Sequence, residues 1–159
     1  MTTNQAALDI FVNALRVNID DIIQKDIDDN YVSFRASKSY WISEGWIDER
    51  WRDHGLPQIA VFQIASRDAA SGKKTKSERY TEDNFQVDIF ASGRNQKQDL
   101  TNQIRKGLFN YDNRMSMLRS GIKLDKLTSQ YDTIEDEILP QQVYRKQMTF
   151  RVYYHTSGA

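Results

Sequence analysis

The sequence contains no cysteine, two histidines, two prolines and seven glycines among its 159 residues. Without cysteine the protein can form neither a disulfide nor a thiolate metal site, and it has no cysteine nucleophile. This absence fits a reducing compartment, although many extracellular proteins also lack cysteine. The glycines are scattered and form no glycine-rich turn of the kind that cradles a phosphate. Nucleotide binding therefore has no support in the sequence.

The sequence also lacks an excess of charge of either sign, with 22 basic and 22 acidic side chains. Proteins dedicated to duplex DNA usually carry a basic excess or stripe, so nothing in the composition calls for a nucleic-acid partner. Zero net charge removes long-range self-repulsion and permits association between copies. No secretory signal is visible, and no apolar run approaches the roughly 20 residues of a membrane-spanning helix. We expect a soluble protein with no membrane partner.

Hydrophobic spacing predicts two helices. In the first, apolar residues three and four positions apart form one stripe, and Asn4 is the expected N-cap. This helix is expected to end near Asp26, before a polar turn. The second is predicted over residues 95–109. The apolar stripes are Leu8, Phe11, Val12, Leu15, Ile19, Ile22 and Ile23 in the first helix, and Leu100, Ile104 and Leu108 in the second.

Strands are predicted where apolar and polar side chains alternate or where a short apolar run stands between polar loops. Loops are expected over residues 43–55, 72–79 and 131–140. The order implies one α+β domain over residues 1–159, with a mostly antiparallel sheet of about five strands and two helices packed on one face. The strand segments are 31–42, 59–65, 80–91, a short one around 122–127, and 143–155.

No cluster of ionisable residues predicts an active site. His54 and His155 stand far apart in sequence, and metal sites need several convergent ligands. Residues 26–30 have the oxygen spacing of a calcium loop, but Tyr31 replaces the required glycine and Ser37 the required glutamate. We predict no catalytic residue, no metal and no cofactor.

Two groups of residues are candidates for binding a partner. Tryptophan is enriched at interfaces, although one or two of the three tryptophans would equally serve the local core. The basic stretch is expected to be a solvated hairpin tip or a contact with a partner subunit, because no aromatic side chain is interleaved for base stacking. The candidates are Trp41, Trp46, Trp51, Lys73, Lys74, Lys76 and Arg79.

Three stretches of the chain resemble the tail terminator (tail completion) proteins of long-tailed bacteriophages. The first is the helix over residues 8–23, followed directly by a strand. The second is Phe-Gln-Val-Asp-Ile-Phe-Ala at 85–91, followed by a polar break with Arg94 and then a helix. The third is the C-terminal strand at 144–155. The tryptophan-rich residues 40–55 depart from the family pattern.

The resemblance implies a structural protein without catalytic residues or cofactors. Its subunits would form a hexameric ring that docks on the last ring of tail-tube subunits and stops polymerisation. The other face of the ring would meet head-completion or connector proteins, and DNA would only pass through the lumen. The protein would be assembled in the host cytoplasm and reside in the virion, at the head-proximal end of the tail.

Three alternatives remain at this point. Another ring-forming neck protein, such as a head-tail stopper or a contractile-tail cap, would have the same sequence features. A small enzyme would need Asp20, Asp21, His54 or His155 to converge in a pocket. A nucleic-acid-binding module would use the basic stretch and bind DNA with steep salt dependence.

Overall fold

The computed structural model describes residues 3–20, 23–25, 28–33, 42–45, 56–68, 78–135 and 143–157. Within these ranges the chain forms three helices and seven strands. In chain order they are α1 (Asn4–Asn18), β1 (Ile23–Lys25), β2 (Tyr31–Ser33), β3 (Ile42–Glu44), β4 (Gln58–Asp68), β5 (Glu78–Ala91), α2 (Arg94–Phe109), α3 (Tyr111–Ser120), β6 (Lys123–Glu135) and β7 (Val143–Ser157).

Five of the strands form one sheet in the order β3-β4-β5-β7-β6, and β1 pairs with β2 in a separate hairpin. Strand β3 runs parallel to β4, whereas all other neighbours in the large sheet are antiparallel. The predicted α+β class with a mostly antiparallel five-stranded sheet is confirmed. The sequence analysis missed one of the three helices.

Helix α1 begins at the predicted place but is shorter than predicted. Thr3, rather than Asn4, is the N-cap, and its Oγ1 accepts a hydrogen bond from the Ala6 N–H at 3.0 Å. The helix ends at Asn18 because Ile19 already has extended backbone angles. Ile23–Lys25 then pairs with β2 instead of continuing the helix. The apolar stripe of α1 is therefore real only as far as Ile19.

Helix α2 matches the predicted segment within one residue, but α3 was not predicted. The Asn110 side chain caps α3 by accepting from the Asp112 N–H at 2.9 Å. Gly121 ends the helix with a φ of 120°, a conformation that favours glycine. Met117 is the buried residue of α3, so the helix lacks the apolar stripe that spacing arguments require.

The strand predictions need three corrections. The predicted strand 31–42 is wrong as one element, because Tyr31–Ser33 and Ile42–Glu44 belong to different sheets. Strand β6 extends to Glu135, so residues 131–135 are not part of a loop. Likewise, Glu78 and Arg79 begin β5 rather than ending a loop.

The main core lies between the helices and one face of the five-stranded sheet. The Phe11 ring of α1 packs 5.1 Å from the Phe85 ring of β5 and 5.7 Å from the Phe150 ring of β7, measured between centroids. All three rings are fully buried. A smaller cluster on the opposite face, which we call the outer face, consists of Leu56, Ala60, Phe90 and Val143.

Among the described residues, no helix combines the length and the apolar character needed to cross a membrane.

Candidate functional site

The sequence analysis named seven residues as partner-binding candidates, and their role in binding stays a prediction. Trp41, Trp46, Trp51, Lys73, Lys74 and Lys76 lie outside the described residues. Arg79 lies in β5 opposite Thr156 of β7, but its side chain is outside the description.

The residues named for an enzyme are only partly described. Asp20 follows α1, and its N–H donates to Gln103 Oε1 at 2.8 Å. His155 is exposed in β7, opposite Tyr80, while Asp21 and His54 fall outside the described ranges. In the part of the chain that the structure describes, no three acidic or histidine side chains are grouped so as to hold a metal ion. The predictions about catalysis, metals and cofactors stay predictions.

A buried ion pair joins β5 and β7 on the outer face. Arg145 Nη2 donates to Asp88 Oδ2 at 2.6 Å, and the guanidinium carbon lies 5.2 Å from the centroid of the Phe90 ring. Asp88 is completely buried and also accepts a hydrogen bond from Gln86 Nε2. Removing either partner would leave an uncompensated charge, so the pair makes each of these two residues sensitive to substitution.

A second charged group on the outer face joins β5, β6 and β7. Glu82 Oε1 accepts a hydrogen bond from Tyr153 and lies 3.3 Å from Arg151 Nε. Asp125 of β6 is within 3.9 Å of the same guanidinium. Burial is the main cause that raises the pKa of Tyr153, and the hydrogen bond with Glu82 raises it further. Opposite charges are paired across neighbouring strands, and such cross-strand pairs stabilise the pairing of β5 and β6 with β7.

On the helix-covered face, one carboxyl group is buried beside a tyrosine. The Tyr154 hydroxyl lies 2.8 Å from Asp83 Oδ2 and 2.6 Å from Asn4 Oδ1 at the start of α1. Burial raises the pKa of Asp83, while its hydrogen bonds act in the opposite direction. The contact ties the first turn of α1 to the last strand.

The sheet edge formed by β3 is covered by α1. Arg16 donates to the Ile42 carbonyl through Nε at 3.2 Å and Nη2 at 2.8 Å. Gln5 Nε2 donates to both Asp9 Oδ1 and Glu44 Oε2 at 2.9 Å. The hydrogen bond between the two carboxyl groups raises the pKa of Glu44 and lowers that of Asp9. We call this three-residue edge the closed edge.

The opposite edge is the thirteen-residue strand β6, and no described strand pairs with its outer side. Register shifts interrupt its first half between Leu124 and Lys126 and between Leu127 and Ser129. Bulges and lysines of this kind discourage pairing with another chain. From Ser129 to Glu135 the register is regular, and Tyr131 is 63% exposed there. We call β6 the open edge.

Asp132 anchors the helix-facing side of the open edge. Its carboxylate is 2.8 Å from Lys97 Nζ of α2 and 3.1 Å from Lys146 Nζ of β7. The hydrogen bond from Lys97, reinforced by Lys146, lowers the pKa of Asp132. Asp132 therefore stabilises the end of a strand that was predicted to be a loop because of its acidic composition.

An apolar groove with a volume of about 290 Å³ is lined by residues from the end of α2, from α3 and from the start of β6. Tyr111 and Leu118 line it and are 74% and 48% exposed. Arg114 is fixed at its wall, since Nη2 donates to the Leu124 carbonyl at 2.9 Å. Lys123 stands exposed at its rim and forms no ion pair within the described ranges. The groove therefore brings two exposed apolar side chains together, which makes it a candidate contact surface.

Sequence reasoning named none of these edge and groove residues. The caps Asn110 and Gly121 were the available signal for α3 and hence for the groove. The exposure of Leu118 had no sequence signal, because it depends on how α3 packs. Comparison with protein-family models finds no match to this chain, and comparison with curated proteins finds none either.

Proposed function

We propose that this chain is a structural bacteriophage protein whose copies assemble into a ring. The ring caps the tail tube, ends its polymerisation and joins the tail to the head-completion proteins. Its place is the head-proximal end of the tail in the virion, after assembly in the host cytoplasm. The resemblance of three stretches to tail terminator proteins implies this specific function, and it also implies that the ring is hexameric.

The observation that carries the proposal is the open edge. A long strand with unpaired N–H and C=O groups is a template for another chain unless something covers it. The second half of β6 has a regular register and an exposed tyrosine, Tyr131, with no bulge to twist it away. A natural protein that keeps such an edge is expected to cover it on assembly.

The two edges also bear on the type of symmetry. Because Arg16 occupies the Ile42 carbonyl, the closed edge is a poor acceptor for a strand from a neighbour. A ring requires two different surfaces that meet head to tail, whereas an edge that pairs with its own copy gives a two-fold dimer. The proposed ring therefore needs a second surface, distinct from β3, to meet the β6 side of the next subunit.

Electron microscopy can test the function with tail tubes polymerised from the tube protein of the same genome. The purified protein should sit at the head-proximal end of the tubes and stop their growth. A Tyr131→Lys variant should cap poorly, whereas Tyr31→Lys should cap normally, because Tyr31 is at least as exposed but lies in the separate hairpin.

Other outcomes of the same experiment would reject the assignment. Decoration of the opposite end of the tube, or of capsid connectors alone, would favour a different neck protein such as a stopper. Tubes that grow unchanged in the presence of an excess of the protein would contradict a terminating role altogether.

A further inference from the structure

The side of the molecule that carries the open edge has cations that the fold itself does not use. Arg119 in the last turn of α3, and Lys123 and Lys126 at the start of β6, are exposed. None of the three forms an ion pair within the described ranges. The nearby Asp125 does not balance them, because its carboxylate already lies within 3.9 Å of the Arg151 guanidinium. We call Arg119, Lys123 and Lys126 the basic corner.

The first half of β6 is poorly suited to pairing with a neighbouring strand, but its side chains remain available. Two register shifts disturb the backbone there, and lysines on a sheet edge oppose strand pairing. A partner of the basic corner would therefore bind through carboxylates rather than through its backbone. Leu118, next to Arg119 in α3, is 48% exposed and adds apolar contact area.

The opposite side of the molecule carries two carboxyl groups that form no ion pair in the described part of the chain. Asp9 of α1 and Glu44 of β3 are exposed and hydrogen-bond to each other, and Gln5 Nε2 donates to both. Arg16 acts on the pair through its charge, but its guanidinium donates to the Ile42 carbonyl. We call Asp9 and Glu44 the acidic corner.

A subunit cannot join its own two corners. They lie at opposite edges of the five-stranded sheet, where four strand spacings of about 4.8 Å separate them by roughly 19 Å. That distance is greater than a lysine side chain can span. Within this chain, the opposite charges of the two corners can therefore meet only when two copies come together.

We propose that the acidic corner of one subunit binds the basic corner of the next. The carboxylates of Asp9 and Glu44 form ion pairs with Lys123 and Lys126, and Arg119 extends the positive surface around them. The two surfaces are different, so the contact is head to tail and closes into a ring when the rotation permits. The contact uses side chains rather than the backbone of β3, so α1 continues to cover that strand. This inference rests on the proposed self-assembly and names its contact.

Charge reversal breaks the contact from either side. Lys123→Glu with Lys126→Glu makes the basic corner acidic. Asp9→Lys with Glu44→Lys makes the acidic corner basic. Each pair should raise the dissociation constant for self-association about tenfold or more in sedimentation equilibrium, because attraction becomes repulsion. Lys106→Glu, which reverses another exposed cation on α2, should leave the constant within about twofold of wild type. The wild-type association should also weaken with added salt.

Mixing the two paired variants is the decisive arm. In a one-to-one mixture each reversed corner meets a corner of opposite charge, so the two variants should alternate and association should return. A chain with all four substitutions should associate like the wild type, because both corners change sign together. A wild type that stays monomeric at low salt, unchanged association in both variants, or no rescue on mixing would overturn the inference. Circular dichroism checks that each variant is folded; if the Glu44 substitution is not tolerated, Asp9→Lys alone tests the same corner.

A titration gives an independent readout of the contact. In the free subunit, the hydrogen bond with Asp9 raises the pKa of Glu44. Lysines from a neighbouring subunit would favour the ionised form, so the pKa of Glu44 should fall as the protein is concentrated. Carboxyl NMR at two concentrations measures this change, which should vanish when Lys123 and Lys126 are both replaced by glutamate. A pKa that stays constant while the protein associates would place the contact elsewhere and overturn the inference.

The readouts separate this inference from the proposed function. Rescue on mixing without any capping of tail tubes would sink the function and leave the contact standing. Normal capping by either paired variant alone would leave the function standing and overturn the contact. If reversal of the basic corner abolished capping or the binding of duplex DNA but left self-association unchanged, the corner would belong to the tube protein or to nucleic acid. Either result would also overturn the contact.

Discussion

One edge of the five-stranded sheet ends in the three-residue strand β3, which α1 covers, whereas the other ends in the thirteen-residue strand β6. At the closed edge, Arg16 takes up the Ile42 carbonyl with two N–H groups. At the open edge, two register shifts disturb the first half of β6 and leave the second half regular. One edge is thus covered by α1, whereas no described strand pairs with the outer side of the other.

The largest expected effect comes from the contact that holds α1 on the sheet. Phe11 is fully buried against Phe85 and Phe150, so Phe11→Ala should lower the free energy of unfolding by about 3–5 kcal/mol. Val17→Ala, on the exposed side of the same helix, should cost less than about 0.5 kcal/mol. Urea denaturation measures both, and equal losses would mean that α1 is not seated as described.

A smaller loss is expected when the closed edge is opened directly. Arg16→Ala removes both hydrogen bonds to the Ile42 carbonyl and should cost about 1–2 kcal/mol in urea denaturation. Amide exchange in β3 should accelerate more than exchange in β7. Arg16→Lys keeps one charged donor and should lose less; an equal loss would show that the charge plays no part.

A substitution at the open edge is expected to change self-association rather than the free energy of unfolding. Tyr131→Lys should leave the free energy of unfolding within about 0.5 kcal/mol of wild type, because the side chain is mostly exposed. It should weaken self-association about tenfold or more, as buried interface tyrosines do. Light scattering over a concentration series measures this. Unchanged association would place the interface elsewhere.

The smallest effect is a difference in pH response between the edges. Glu44 has a raised pKa at the closed edge, so the stability it contributes is present below its unfolded value and lost as pH rises through the folded one. Asp132 has a lowered pKa at the open edge, so its contribution is present above its unfolded value and lost as pH falls through the folded one. Carboxyl NMR titration should find the pKa of Glu44 above the ordinary value for glutamate and that of Asp132 below the ordinary value for aspartate. A shift in the opposite direction at either residue would contradict the description of that edge.

The spacing of apolar residues predicted those helices and strands that have one continuously buried side. Helix α2 and strands β5 and β7 begin and end within two residues of the predicted segments, because each buries one regularly spaced apolar side in the core. Helix α3 escaped prediction because Met117 is its buried residue. The stripe of α1 was followed too far, because Ile22 and Ile23 fit a strand as well as a helix.

The candidate site was less predictable than the fold. The acidic composition of residues 131–135 favoured a loop, whereas in the folded chain they pair with β7 and Asp132 is neutralised by lysines of α2 and β7. The tryptophans and the basic stretch remain candidates from sequence alone. The edge and groove residues became candidates only through their exposure in the folded chain.

By itself the sequence determined that this protein has no cysteine chemistry, because it contains no cysteine. It also determined the α+β class, because the spacing of the residue types sets which side of each element is apolar. The tertiary structure alone decided that β3 runs parallel to β4, that α1 covers that edge and that, among the described strands, none pairs with the outer side of β6. The covering of the β3 edge, for example, depends on the contact of Arg16 with the Ile42 carbonyl, 26 residues apart in the chain. Local spacing carries no information about such partners, since they meet only when separate elements pack together.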